Sequence, residues 1–393
     1  MKSVALTFEA ARKLPARPKS LAVARPAPAG RIPSFDYLRA FVIALVVAHH
    51  AVMAYCTAGH PGQDGDFTKA TAPVVDAAQW TGFNLIVSWN DGFFMPLMFL
   101  LAGLFVRPSL ARKGLRRYLA DRLWRLALPL IVGILTVVPL SYYATYLQSG
   151  GTMGFAAFWA HMVTVGPWPS GPMWFVAVLL VFDAGTALVL TAMRDRGFAR
   201  KPARIAPVHW FLAFLALSAL AYMPLSALVG ASQWLTFGPF GVQESRIGLY
   251  GFYFVAGVVV GADRLAAAFA DRWLRWPVLA VLATALYFTL PDSIGDLASD
   301  AALVVFSAAM AAGLLALAVH FGSRQSAVGD SLGANAYGIY LLHYPIVLWL
   351  QYALLRTRWN AEIKGLTVLL LGFGLSWLGA SLLRRVPGVA RCV

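Results

Sequence analysis

Residues 35–55 read FDYLRAFVIALVVAHHAVMAY. The run is apolar and long enough to cross a bilayer, whose ~30 Å core takes about 20 helical residues. Yet it carries Asp36 and Arg39 near its start and His49 and His50 near its end. Ionisable groups inside a membrane are costly, so they face the protein interior and mark function or a pairing partner. Arg39 and His50 stand eleven positions apart. That is close to three helical turns, which predicts one shared face and about 16 Å between them. His49 points roughly 80° away from Arg39, at about 100° per residue. Snorkelling or interhelical hydrogen bonding accounts for His49, whereas Arg39 and His50 together ask for a function.

The rest of the chain repeats the apolar pattern. Of 393 residues, 60% are hydrophobic and 12% charged, with a mean hydropathy of +0.68. A soluble chain keeps about 25% charged residues. The 34 glycines and 22 prolines suit membrane helices that kink and pack closely. Apolar segments fall at about 36–57, 80–106, 122–145, 172–193, 209–229, 246–262, 276–290, 299–320, 334–355 and 363–385. The expected class is all-α: a polytopic helical membrane protein of about ten transmembrane helices. The segments at 246–262 and 276–290 are shorter than a usual span.

Charge placement orients this frame. With odd-numbered segments running outward, 24 of the 32 Lys and Arg residues fall on the cytoplasmic side. Five fall outside (Lys69, Arg246, Arg356, Arg358 and Lys364), and Arg39, Arg122 and Arg125 lie inside the segments. This asymmetry places both termini in the cytoplasm. It also explains the net charge of +15 without nucleic acid, because basic loops meet anionic lipid headgroups. Residues 1–34 read as a flexible basic cytoplasmic tail, or else a membrane-surface helix. They lack the compact apolar core of a signal peptide. Residues 35–386 form the transmembrane domain, and 387–393 a second cytoplasmic tail. Cys56 and Cys392 fall at opposite ends of the chain, so no disulfide framework or cysteine metal site is available.

Other polar residues sit where lipid would exclude them. WNDGFFMPLMFLLAG (89–103) places Asn90 and Asp91 in the outer third of segment two, with Pro96 and Gly103 free to bend it or admit a close neighbour. Asp91 can pair with a base or positive charge in the same cavity, and a helix end in the headgroup region explains it equally well. Arg122 and Arg125, in DRLWRLALPL, are three apart on one face at the cytoplasmic mouth. A single arginine there reads as an anchor of topology. Two with fork geometry suit phosphate or carboxylate. NAYGIYLLHYPIVLWL (335–350) holds His343 inside the membrane, with Tyr340 on its face by i, i+3 spacing. Pro345 leaves a nearby carbonyl unpaired. His343 also reads as a hydrogen-bonded packing residue. The stretches at 59–73 and 146–171 are polar, Gly-rich and aromatic, which suits a sugar or other amphipathic substrate, or an interfacial aromatic belt. Trp174, just beyond, joins Asn90, Asp91, Tyr340 and His343 as a candidate for the substrate site. His60, His161, His209 and His320 lie in loops or at segment ends. No HExxH, G-x-S-x-G elbow or P-loop is present, so metal and nucleotide hydrolysis have no support.

Four of these features in one order resemble a known family. Arg39-x10-His50, FFMPLMFLLAG, the RLWR at 122–125 and YGIYLLHYP look like the membrane-bound acyltransferase-3 family, over about 36–385. The branch resembled is the stand-alone, glucan-modifying (OpgC/MdoC-like) kind. The resemblance implies transfer of an acyl group from cytoplasmic acyl-CoA, acetyl-CoA or succinyl-CoA, to a hydroxyl of an extracytoplasmic glycan or lipid-linked acceptor. It implies a multi-pass protein of the bacterial inner membrane, with no permanently bound cofactor. His50 corresponds to the residue taken as catalytic, and Arg39, Arg122 and Arg125 to residues required for activity or donor binding. Many relatives carry a histidine before Leu-Trp-Phe in the fourth helix. Here the run is GPMWF, with Pro172 in that place.

The chemistry agrees. A neutral histidine within hydrogen-bond reach can take the proton of a hydroxyl as it attacks a thioester, typically worth about 10²–10⁴-fold. His50 lies fourteen residues after Asp36. That is about 21 Å along the helix, beyond the midplane of a ~30 Å core. Arg122 and Arg125 would hold CoA phosphates at the inner mouth, with the pantetheine arm threading past Arg39 toward His50. A transporter or flippase for a glycan or lipid-linked substrate is the alternative. It would more readily show broken helices paired between two halves, and no such pairing is visible.

Overall fold

The computed structural model describes residues 32–63, 65–195, 207–270, 272–322 and 324–392. The expected tail therefore lies outside the described residues up to Arg31, as does most of the basic loop after residue 195. Helix α1 (Pro33–Met53) begins three residues before the predicted segment. The next apolar column runs through α2 (Thr81–Asp91), α3 (Phe94–Gly103) and α4 (Val106–Lys113). Its break falls at Gly92 and Phe93 rather than at Pro96, which sits in the first turn of α3 where its missing N–H costs no helical bond.

A third column holds α5 (Leu115–Arg122), α6 (Leu128–Val132) and α7 (Val138–Gln148), joined by π-helical stretches at Leu123–Ala127 and Gly133–Val137. Each wide turn precedes a proline, Pro129 or Pro139. A proline clashes with the carbonyl four residues back, and the backbone opens to an i→i+5 bond instead. The N–H groups of Leu128 and Val138 accordingly donate to Leu123 and Gly133. Then follow α8 (Phe155–Thr164), α9 (Met173–Asp195) and α10 (Pro207–Val229). A two-stranded antiparallel hairpin, β1 (Trp234–Phe237) and β2 (Phe240–Gln243), pairs Leu235 with Val242. The chain closes with α11 (Ile247–Val260), α12 (Ala262–Ala270), α13 (Arg275–Thr289), α14 (Asp296–Phe321), α15 (Ala327–Leu354) and α16 (Ala361–Leu383).

All ten predicted segments coincide with helix, but not all qualify as spans. Seven described helices or helical columns are long and apolar enough to cross a membrane, and eight if α11 and α12, bent by 88°, count as one. The expectation of about ten counts α13 and α15 as well, which that measure of length and composition leaves out. Helix α13 has only 15 residues. Helix α15 is 28 residues long, yet is not among the seven. Asp330, Asn335, His343 and Gln351 dilute its apolar character, and its polar side chains turn into the protein. The apolar side chains left outside confirm the membrane setting. Leu220, Val281 and Leu370 are each more than 60% exposed, as lipid permits and water would not. The chain is a multi-pass helical membrane protein.

Helix α1 is the hub. It packs along α15, and also against α14, α16 and α2. Beside it α3 crosses α11 at backbone contact. A Cβ on Gly103 would come within 2.1 Å of the Phe254 carbonyl oxygen, and one on Gly257 within 2.3 Å of that of Leu100. The link from α1 to α2 is held down at several points. Gln148 bonds both the N–H and the carbonyl of Val75. Lys364 Nζ reaches Asp76 Oδ1 and Oδ2 at 2.9 and 2.7 Å, with both side chains buried. In the same link the Thr68 hydroxyl and Lys69 bind Asp66 and hold its carboxyl below the usual range.

Candidate functional site

Helix α1 ends at Met53, so the carbonyls of His50 and Ala51 lie in its last turn and lack partners within the helix. Gln351 of α15, buried, donates to both, at 2.7 and 3.1 Å. Asn90 is buried and donates to the Leu45 carbonyl at 3.3 Å. These bonds fix the end of α1 that carries the histidines. The His50 ring is bracketed by α15. Its centroid lies 5.3 Å from that of His343 and 5.0 Å from that of Tyr344, the latter edge-on. His49 is buried, stacks on Phe94 at 5.3 Å and touches His50 only edge to face.

The far wall is aromatic. Tyr340 and His343 share a face of α15 with ring centroids 5.7 Å apart, and the Tyr340 hydroxyl donates to the Pro172 carbonyl. His343 Nδ1 stands 2.6 Å from the Tyr340 carbonyl. The Tyr344 hydroxyl lies 3.3 Å from that of Tyr142 on α7. Tyr142 also packs on Phe67, from the 59–73 loop. That loop therefore sits one ring away from the ring pair beside His50. Trp174 lies a shell further out, against Tyr250, Phe99 and Trp234 of the hairpin.

The arginines stand elsewhere and apart. Arg39 Nη1 is 3.4 Å from Asp36 Oδ1, one turn back on α1, and its guanidinium lies over the Phe105 ring. Arg122 turns inward. Its Nε is 3.1 Å from Asp183 Oδ2 on α9, and its guanidinium covers the Tyr118 ring. The Tyr118 hydroxyl donates to the other oxygen of Asp183 at 2.7 Å. Arg125 is 56% exposed and pairs with Asp121, which also holds Lys113. One pair of residues predicted as a fork is thus split between a buried and an exposed setting. Asp91 has its own cation: Arg246 bonds its carboxylate and its main-chain carbonyl, each at 2.7 Å.

Three partners were missed from sequence. Asp183 is a carboxylate in the middle of an apolar segment, a visible signal that passed unused. Arg246 and Lys364 read as outer-loop charges, yet both are buried in ion pairs, with Asp91 and Asp76. Only long-range packing brings those partners together. Among the described residues, no cluster of three or more His, Cys, Asp and Glu could hold a metal ion.

A family model described as an acyltransferase domain matches residues 32–385, nearly the whole helical body. No curated protein matches the chain.

Proposed function

The chain belongs to the acyltransferase-3 family, and from that premise we propose that it moves an acyl group from acyl-CoA to a hydroxyl of a cell-envelope carbohydrate, with His50 as general base. That it is a membrane acyltransferase follows from the family and the helical body. The finer reading rests on one observation: His50 stands at the meeting of α1 and α15 with the His343 and Tyr344 rings within 5.3 Å.

A neutral nitrogen of His50 takes the proton of the acceptor hydroxyl, whose oxygen attacks the thioester carbonyl. The C–O ester bond forms, the C–S bond breaks, and the proton returns to the leaving thiolate as CoA thiol. Arg125, exposed, meets the CoA phosphates at the mouth on the side of α5, and Arg122, turned inward onto Asp183 and Tyr118, adds its charge from behind rather than as the second arm of a fork. The pantetheine arm runs past Arg39 toward His50. The acceptor comes from the opposite side, by the 59–73 loop, and Asn90, Asp91, Trp174, Tyr340 and His343 shape its surroundings. Acetyl-CoA and succinyl-CoA are the donors to test first, in a bacterial inner membrane with both termini cytoplasmic.

The test is acyl transfer by the reconstituted protein. His50→Ala should lower turnover by about 10²-fold or more while the protein inserts and elutes as wild type. Turnover retained in His50→Ala rules out the general-base role. Mass spectrometry of envelope glycans with and without the protein identifies the acceptor.

A further inference from the structure

We infer that His343 is the hydrogen-bond acceptor that orients His50 and steadies its charge during transfer, a positioning residue of the reaction. The inference rests on the reading of His50 as general base.

The His343 ring is fully buried, and its Nδ1 lies 2.6 Å from the Tyr340 carbonyl. A carbonyl only accepts, so Nδ1 carries the proton and Nε2 of the neutral ring is left with a lone pair. That Nε2 is buried and has no hydrogen-bond partner among the described residues. A buried acceptor without a donor costs free energy, and native proteins rarely leave one without a use. Three rings with polar atoms surround it, and two are already committed. The Tyr340 hydroxyl donates to Pro172, and the Tyr344 hydroxyl donates to Tyr142. The third is His50, whose side chain makes no hydrogen bond among the described residues and whose centroid is 5.3 Å away, tilted by 34°. A linear N–H···N bond of about 2.9 Å between two imidazoles sets their centroids about 5 Å apart. The two rings are near enough for that bond, which a small turn of the His50 ring would complete; it is not formed in this structure.

The pairing assigns the nitrogens of His50. One keeps its hydrogen and turns it to His343 Nε2, and the other is left bare to act as base, the arrangement in which a base is oriented by a third group. When the acceptor hydroxyl gives up its proton, both nitrogens of His50 carry hydrogen. The positive charge stays on His50, with one N–H held by His343. No proton passes to His343, and the one gained leaves with the CoA thiolate.

Two amides separate this role from packing. The carbonyl of Gln reaches the place of Nε2, whereas the shorter Asn reaches only the place of Nδ1. The protein in liposomes is assayed with acetyl-CoA or succinyl-CoA and an envelope glycan fraction, following release of CoA thiol. His343→Asn should lower kcat by about 10²-fold with KM for acyl-CoA unchanged, and His343→Gln should stay within about tenfold of wild type. Wild-type kcat in His343→Asn overturns the inference. So do equal losses in the two variants, since a folding defect lowers both amides together, and so does a change confined to KM. A wild-type protein that transfers neither acyl group takes down the functional reading and this inference alike. An active wild type with an unaffected His343→Asn removes the inference alone.

Discussion

Lys364 and Asp76 show what a single residue can hide. Both are 2% exposed at the side chain and bonded by two contacts under 3 Å. A charge so placed is stable only with its partner, because desolvation is offset by the pair and not by either member. Lys364→Met should therefore destabilise the protein by about 3–5 kcal/mol, read as a lower midpoint of thermal unfolding in detergent. Adding Asp76→Asn should recover part of the loss, since the stranded carboxylate is then gone. A single variant as stable as wild type would show that the pair does not hold the link to α2. The same physics explains why residue roles were only partly legible. Arg39, His50 and His343 stand out in sequence because polar groups in apolar runs are conspicuous. Local spacing matches the pairs Arg39 with Asp36 and Arg125 with Asp121, but not the partner of Arg122. Arg122 chose Asp183, 61 positions away, over any neighbour on its own helix.

Elements follow from the sequence more closely than contacts do. The apolar runs are helical because lipid offers no partner for a free backbone group. Their irregularities have local causes: prolines behind each π-helical stretch of the third column, and Gly261 at φ +75° where α11 turns into α12. Gly103 was predicted to bend its helix or admit a neighbour, and it admits α11. Gly103→Ala should force the two helices apart and cost about 1–3 kcal/mol, with lower yield of folded protein. Gly374, on α16, has nothing within 4 Å of its missing Cβ. Gly374→Ala should be neutral or slightly stabilising, as exposed helix interiors favour Ala over Gly by up to about 1 kcal/mol. Equal effects at the two glycines would remove close packing as the reason for Gly103.

At the scale of the whole molecule, the placement of basic residues bears on which end faces the cell interior. Of the five basic residues assigned to the outer side, Arg246 and Lys364 lie in buried ion pairs, with Asp91 and Asp76. With Cys56 and Cys392 replaced by Ser, Lys69→Cys should react with an impermeant maleimide added outside intact cells. Arg112→Cys, at the other end of the Thr81–Lys113 column, should react only after the membrane is opened. The reverse pattern would invert the topology and move the donor mouth to the other face. The sequence by itself determined that this is a helical membrane protein, where its helices lie, and that Arg39, His50 and His343 are out of place in lipid. These are properties of composition and short spacing, set by the cost of burying backbone and charge in hydrocarbon. Only the tertiary structure decided that His343 and Tyr344 flank His50, that Gln351 clamps the end of α1, and that Arg122 and Arg125 part company. Those contacts join residues up to 301 positions apart. No local pattern encodes them, because they arise from how whole helices pack.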